Sequence, residues 1–513
     1  MLSTVFTETV FLKENFILLP ILANSIKLML PELFLVTSLL SLVIYGPVLA
    51  NTSRYNFPLL NRGLSWLSIL ILFLTFVLLL NNPFVTIPNS TIIFSGSFIS
   101  DNLSHYGKCA ILLGTISCLL ISQEFVDNLR LNFFEYHLLI LSAVLGLLLL
   151  VSSNDLISAY LAIEMQSLSF YVLAAFKRNS AFSTEAGLKY FILGAFSSGL
   201  ILFGSTYIYG VTGSVNFEDI SLILAGLEEG SASNSLEILK VFILFIGVGL
   251  LFKLAAAPFH MWSPDVYEGA PTSTSALFAI VPKIAVFILF FRLFHHSFYN
   301  LIESWQIILG FCAACSVIVG SFVALQQRKL KRLIAYSAIS HVGYLLIAFI
   351  PGTLEASQSL FFYLFIYMIT GVAIWTLVLN MELHGKNEKT LADLSALMRA
   401  NGGLAITFSL IIFSLAGVPP LAGFYAKMHI FLAAMQSSLY FLSIVAVLSS
   451  VISTFYYIRL IKILQFEKTP RWVFLNFSSQ PASLVLGCSF FLIIGLFFEP
   501  HLLAHIAAKM VYL

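Results

Sequence analysis

Apolar residues run through this chain in long blocks. They show neither the two-residue alternation of a half-buried strand nor a one-sided helical stripe. Residues 66–80 and 241–252 are apolar on every face. Blocks of about 18 or more such residues recur from Pro31 almost to the C-terminus, each long enough to cross a hydrocarbon core of about 30 Å. In lipid every backbone N–H and C=O must find a partner inside the protein, so blocks of this kind fold as helices. Barrel strands would alternate over short segments instead. The pattern predicts an all-α polytopic membrane protein of about 14 transmembrane helices, with residues 1–30 left as an ambiguous N-terminal segment.

Composition narrows the class. Hydrophobic residues make up 59% of 513 positions and charged residues only 10%, with a mean hydropathy of +0.97. A soluble chain of this length needs far more charge to cover its surface. The five cysteines all sit in apolar blocks. Cys312-Ala-Ala-Cys315 has C-x-x-C spacing but lies in mid-block, so it reads as two small packing residues rather than a redox pair. No cysteine series has iron–sulfur spacing, and there is neither a dinucleotide fingerprint nor a phosphate loop. No cofactor or metal is expected in this chain, and no nucleic acid as a partner.

Charge orients the spans. Of the 26 Lys and Arg residues, 16 fall after odd-numbered spans, among them Arg54, Arg62, Arg130, Lys177, Arg178 and the 328–332 cluster. Six fall on the other face or at nearby helix ends: Lys13, Lys27, Lys108, Lys240, Arg292 and Lys509. The positive-inside rule puts the odd loops on the cytoplasmic or matrix side and both termini opposite. Removing these 22 from 26 leaves four lysines inside apolar spans: Lys189, Lys253, Lys283 and Lys427.

Such charges cost about 2.5–3.5 kcal/mol each on insertion scales, so they need a reason. Glu164 stands near the middle of the block 156–176, and Lys253 at similar depth after 241–252. Burial disfavours the ammonium form and a nearby carboxylate favours it, so a Glu164–Lys253 pair makes an adjustable proton-loading site. Lys283 and Lys427 on successive helices extend it into a relay, and His341 bridges the two halves of the chain. Each has a plainer reading. Lys189 is shallow and can snorkel; Glu164 and Lys253 can be a structural ion pair. Lys283 and Lys427 can be satisfied by carbonyls or water, and His341 by helix packing.

Proline interrupts two spans, the seventh at Leu254-Ala-Ala-Ala-Pro258 and the twelfth at Leu415-Ala-Gly-Val-Pro419-Pro420. Such breaks free carbonyls at membrane depth and are tolerated where they line a polar cavity. The two align at an offset of 161, and Tyr171-Val-Leu-Ala-Ala-Phe176 matches Tyr344-Leu-Leu-Ile-Ala-Phe349 at 173. Five spans separate the matched elements, which predicts two inverted five-helix repeats, spans 4–8 and 9–13. The expected division is an N-terminal segment 1–30, three helices in 31–130, a first repeat in 131–298, a second in 299–470 and a C-terminal helix in 471–513.

From about Pro31 onward these residues resemble the subunit 2 family of respiratory complex I, the proton-pumping NADH:ubiquinone oxidoreductase. The resemblance rests on Ile163-Glu164-Met-Gln-Ser-Leu, Ala186-Gly-Leu-Lys189-Tyr-Phe, Phe252-Lys253-Leu-Ala-Ala-Ala-Pro258-Phe-His260-Met-Trp-Ser-Pro-Asp265, Lys331-Arg332-Leu-Ile-Ala-Tyr-Ser-Ala-Ile-Ser-His341 and Gly417-Val-Pro-Pro-Leu-Ala-Gly-Phe-Tyr-Ala-Lys427. It implies that Glu164 pairs with Lys253 to gate protonation, that Lys283 is central, that Lys427 leads to an outlet, and that Lys189 belongs to the same polar axis. It further implies that the chain is a subunit of the translocase without a redox site of its own. NAD, FMN, iron–sulfur clusters and ubiquinone would lie in partner subunits. The expected partners are other complex I membrane-arm subunits and phospholipids.

The full set of spans, the 49 phenylalanines and the lack of an Arg-rich transit peptide fit a full-length plant or algal type made inside the organelle. Its expected place is the mitochondrial inner membrane, with odd loops toward the matrix and both termini toward the intermembrane space. Bacterial and thylakoid membranes stay open. Two rivals stand beside this reading: a subunit of a cation/proton antiporter, and a structural subunit that only docks partners.

Overall fold

The structure is a computed structural model that describes residues 24–50, 57–81, 91–128, 134–229, 233–381, 390–467 and 479–511. The charges counted above at Lys13, Arg54, Arg130, Lys386, Lys389, Lys468 and Arg471 lie outside the described residues, as does most of the 1–30 segment.

The described residues are helical almost throughout. The first six helices are α1 (Leu30–Ala50), α2 (Phe57–Leu80), α3 (Asn102–Asn128), α4 (Glu135–Ser152), α5 (Leu156–Ala174) and α6 (Ala181–Thr212). A short amphipathic α7 (Phe217–Glu229) precedes α8 (Ser233–Leu254), α9 (Trp262–Gly269), α10 (Thr272–Phe291), α11 (Ile302–Gln326), α12 (Leu330–Phe349) and α13 (Leu354–Asn380). Then follow α14 (Ser395–Ala400), α15 (Gly402–Ala416), α16 (Ala422–Gln436), α17 (Tyr440–Phe466), α18 (Gln480–Phe498) and α19 (His501–Val511). Among the described residues, 12 helices are long and apolar enough to cross a membrane. The two spans predicted to be broken are the pairs α8/α9 and α15/α16, which lie outside that twelve. The C-terminal segment, read as one helix, holds α18 and a separate α19 beyond Pro500.

A small hairpin departs from the all-helical pattern. Strand β1 (Thr91–Ile93) pairs antiparallel with β2 (Phe98–Ser100); three residues a side are too few to show a period of two. It knits together the loops after the second, fourth and sixth spans. Phe98 bridges to Ser153, the Asn154 amide donates to the Ser97 carbonyl at 2.9 Å, and Asn216 Nδ2 donates to Gly96 O at 3.1 Å. At another loop cluster the Leu391 amide donates to Arg328 O at 3.0 Å, joining the loops after the ninth and eleventh spans.

The core is built around α10, every residue of which is buried. A helix apolar on all sides must lie in lipid or inside protein, and α10 takes the second option, against α3, α4, α13 and the two halves of the first broken span, α8 and α9. Glycines let α11 and α12 touch: a Cβ on Gly343 would come 2.9 Å from the Val317 amide nitrogen, and one on Gly320 would come 2.7 Å from that of Ser340. Close approach at small residues is how helices pack where the surroundings are as apolar as the side chains.

Both breaks end their first half in the same way. Ala255 and Gly417 take the left-handed conformation, with φ of 62° and 82°. The next amide reaches back to close a Schellman turn, Ala256 N–H to Leu251 O at 3.0 Å and Val418 N–H to Phe413 O at 3.1 Å. The backbone thus matches at an offset of 162, one residue from the 161 read in sequence. The sequence match fixed on Pro419, the first proline of a doublet, whereas the turn geometry aligns Pro258 with Pro420.

Two cations assigned to span ends are instead buried in ion pairs. Lys108 meets Glu32 at 2.5 Å, tying α1 to α3, and Arg292 makes a two-pronged contact with Asp101 at 2.7 and 2.9 Å. Both stand near the margins of their apolar blocks, where sequence alone cannot tell a snorkelling side chain from a paired one.

Candidate proton-transfer axis

On α5, Glu164, Ser167 and Tyr171 recur at i, i+3 and i+7, which puts them on one face. Ser167 Oγ donates to Glu164 Oε2 at 3.5 Å, while Glu164 Oε1 is buried without a hydrogen-bond partner. Lys253 is the last residue but one of α8, beside the break, and its Nζ donates to the Tyr171 hydroxyl at 3.3 Å. Among the described residues no salt bridge joins Glu164 to Lys253, and the Lys253 hydrogen bond goes to Tyr171 instead. Gly194 of α6 makes the room, since a Cβ there would collide with the Tyr171 hydroxyl.

Lys283, on the fully buried α10, donates to the Tyr367 hydroxyl at 2.7 Å and to Ala338 O at 3.4 Å. His341 of α12 is held between two phenols, with Nδ1 2.5 Å from Tyr363 Oη and Nε2 3.2 Å from Tyr457 Oη. A neutral imidazole has one donor and one acceptor nitrogen, so one phenol gives a proton to the ring as the other receives one. Lys427 of α16 donates to Ala416 O at 2.9 Å, a carbonyl freed by the break at the end of α15, and lies 5.5 Å from the Tyr344 ring centre.

Two voids join these groups. One, small, is lined by Lys427, His341, Tyr363, Tyr367 and Ser414 together with Ile366 and Leu415. The other, also small, is lined by His341, Tyr367, Ser337 and Trp375 together with Ile280 and Ile334. His341 and Tyr367 face both. The structure therefore brings Lys283, His341 and Lys427 together. Glu164 and Lys253 form a second group, separated from the first by a layer of rings in which Tyr190 lies 5.8 Å from Phe278 and Tyr267 lies 6.3 Å from Trp375. Among the described residues no side-chain hydrogen bond crosses that layer.

Lys189 sits apart from both groups. It pairs with Glu185 at 2.8 Å and Asp265 at 2.9 Å in a half-exposed cluster that includes Arg332, Glu268 and Lys329. His260 is buried, and a His295 ring nitrogen lies 3.0 Å from Phe349 O.

The tyrosines are what sequence reading missed. Tyr171, Tyr363, Tyr367 and Tyr457 contact every ionisable group of the two clusters except Glu164 and Lys427 directly. The i, i+4 pair Tyr363 and Tyr367 was the available signal, but aromatic residues are common in apolar spans and carry no charge to single them out.

Comparison with known proteins gives this geometry its setting. Residues 153–453 match the family described as NADH:quinone oxidoreductase/Mrp antiporter, transmembrane. NADH-ubiquinone oxidoreductase chain 2 of Marchantia polymorpha is 44% identical over 92% of this chain and 95% of its own length. NADH-quinone oxidoreductase subunit N of Pelagibacter ubique is 41% identical over 87% of this chain and 90% of its own. A chain of respiratory complex I from Thermus thermophilus superposes with a TM-score of 0.77 at 28% identity, over 93% of this chain and 99% of that one. A chain of the Mrp complex from Dietzia shares the fold at a TM-score of 0.81 and 18% identity, over 95% and 97%. The lysine-bearing helices, the two broken spans and these relatives agree that the chain belongs to the NADH:quinone oxidoreductase/Mrp antiporter membrane family, in its chain 2/subunit N branch.

Proposed function

We propose that the chain translocates protons as an antiporter-like membrane-arm subunit of a complex I, along an axis formed by Glu164, Lys253, Lys283, His341 and Lys427. The observation that carries this is the setting of the three deep lysines. Each ends inside the protein on a hydroxyl or a carbonyl, with no carboxylate within ion-pair distance among the described residues. A fixed structural role would favour a paired anion, because an unpaired buried charge is costly. A site that must alternately hold and give up a proton is better served by neutral partners that bind ammonium and amine alike.

Within the second cluster, the Tyr367 hydroxyl accepts a hydrogen bond from Lys283 and faces both voids. Ordered water in these small cavities would join Tyr367 to His341 and His341 to Lys427. The carbonyl of Ala416 then steadies Lys427 in its charged form. In the first cluster Tyr171 and Ser167 mediate between Lys253 and Glu164. The ring layer between the clusters is where a controlled opening would set the timing.

Redox chemistry belongs to other subunits in this reading, with NAD, FMN, iron–sulfur clusters and ubiquinone bound there. The two broken spans added to the twelve complete ones make fourteen. Spans 4–8 and 9–13, within 131–298 and 299–470, are the two inverted repeats. Lys253 beside Tyr171 and Lys427 beside Tyr344, with ring centres at 5.8 and 5.5 Å, support that pairing. The plant relative fits a mitochondrial membrane, and the excess of Lys and Arg after odd-numbered spans favours the inner membrane with the Lys329 and Arg332 face toward the matrix.

The test is Lys253→Met in the assembled complex. Proton translocation should fall by about 100-fold or more, the scale of a lost general acid–base group, while assembly is retained. Undiminished translocation would leave the chain a docking subunit. Translocation that follows a sodium gradient instead would make it a cation/proton antiporter.

A further inference from the structure

We propose that Asp265 is a positioning residue for Lys253, clasping the short half of the broken helix between the two halves of the molecule. The inference rests on the reading that Lys253 handles protons.

Because the break interrupts the backbone ladder between α8 and α9, side-chain contacts help place the eight residues of α9, along with the Ser275 hydroxyl that donates to Tyr267 O at 3.0 Å. Asp265 supplies two of these ties. Its Oδ2 accepts from Lys189 of α6 at 2.9 Å, and its Oδ1 accepts from Arg332 of α12 at 3.1 Å. One turn earlier on α9, the Trp262 indole N–H donates at 2.9 Å to the carbonyl of Phe252, the residue before Lys253. The Trp262 ring stacks on Tyr190 at 4.7 Å and 13°, and Tyr190 is next in sequence to Lys189. Tyr190 in turn meets Tyr171 edge-on at 4.8 Å, and Tyr171 accepts the Lys253 hydrogen bond. Asp265 therefore reaches Lys253 from both sides of the break, through Trp262 to its backbone and through Lys189 and Tyr190 to its hydroxyl partner.

The charges are a third or more exposed, at 34% for Asp265, 40% for Lys189 and 38% for Arg332. Pairs so exposed add little to stability, and Glu268 still ties α9 to Lys329. Loss of Asp265 should therefore shift α9 without unfolding it. The arrangement also gives Lys189 a place in the mechanism without a proton passing over it.

The measurement is NADH-driven proton translocation by the assembled complex carrying Asp265→Asn, Asp265→Glu, Trp262→Leu or both Asp265→Asn and Trp262→Leu, with Lys253→Met alongside. We expect Asp265→Asn to lower translocation by about 2- to 30-fold, the range of coupling through packed networks, and Asp265→Glu to restore it. The double variant should be little worse than Trp262→Leu alone, because the two act through one connection. Should Asp265→Asn fail to assemble, Arg332→Gln, which removes one of its two cations, carries the same expectation. Native translocation by Asp265→Asn in a host where Lys253→Met is inactive would overturn the clasp and leave the role of Lys253 standing, as would effects that simply multiply. Native translocation by Lys253→Met would remove the underlying reading, and the clasp with it.

Discussion

Tyrosine hydroxyls, more than carboxylates, meet the buried lysines of this protein. Tyr171 is the sharpest case, because it accepts the hydrogen bond of Lys253, the lysine that the sequence pairs with Glu164. Replacing it with Phe keeps the ring and removes only the hydroxyl; translocation should drop about 10-fold, the order of one lost hydrogen bond to a charged group. Gly194→Ala, whose added methyl collides with that hydroxyl, should lower translocation similarly. Gly199→Ala, with open space around its Cβ, should leave it unchanged. Proton translocation measured in the three assembled variants checks this, and native rates in Tyr171→Phe would rule the hydroxyl out. The deep lysines were legible in sequence because a charge in an apolar run is costly and conspicuous. Their partners were not, since a tyrosine in a membrane span looks like any other aromatic residue until its contacts are known.

At the scale of elements, the two breaks organise the axis. Each stops a helix with a left-handed residue and sets a lysine beside the stop. Gly417 is needed twice over: its φ of 82° penalises any side chain, and a Cβ would lie 2.9 Å from Lys427 Cδ. Gly417→Ala should cost about 1–2 kcal/mol and displace Lys427. Ala255, at φ 62° without glycine's freedom, should be stabilised by Ala255→Gly by a similar or smaller amount. Thermal inactivation of the assembled complex reads both, with opposite signs. The breaks were visible from their prolines alone, because proline both removes a donor and clashes with the preceding turn. Their register was off by one because the repeat carries a proline doublet in one copy and a single proline in the other. The hairpin at 91–100 gave no signal, since its strands are too short for a period to emerge.

Over the whole molecule, charge does two separate jobs. The lysines of the axis are held by neutral groups, whereas Glu32–Lys108 and Asp101–Arg292 are buried ion pairs, the first tying α1 to α3 and the second tying the start of α3 to the end of α10. Breaking such a pair from one side strands a charge, so Glu32→Gln should destabilise by about 3–5 kcal/mol and lower the amount of assembled complex. The apolar pair Glu32→Leu with Lys108→Met should largely restore it. Assembly yield measured by native electrophoresis distinguishes these. Sequence counted Lys108 and Arg292 as interfacial because each lies near a block margin, and pairing across distant helices is invisible in a linear chain. The division of labour also fixes the most direct test of the account. Lys283 lies in a helix buried on every side, has no carboxylate partner and holds no helices together by charge. In the assembled complex Lys283→Met should therefore abolish NADH-driven proton translocation while assembly is unchanged. Translocation at the native rate in that variant would contradict the axis.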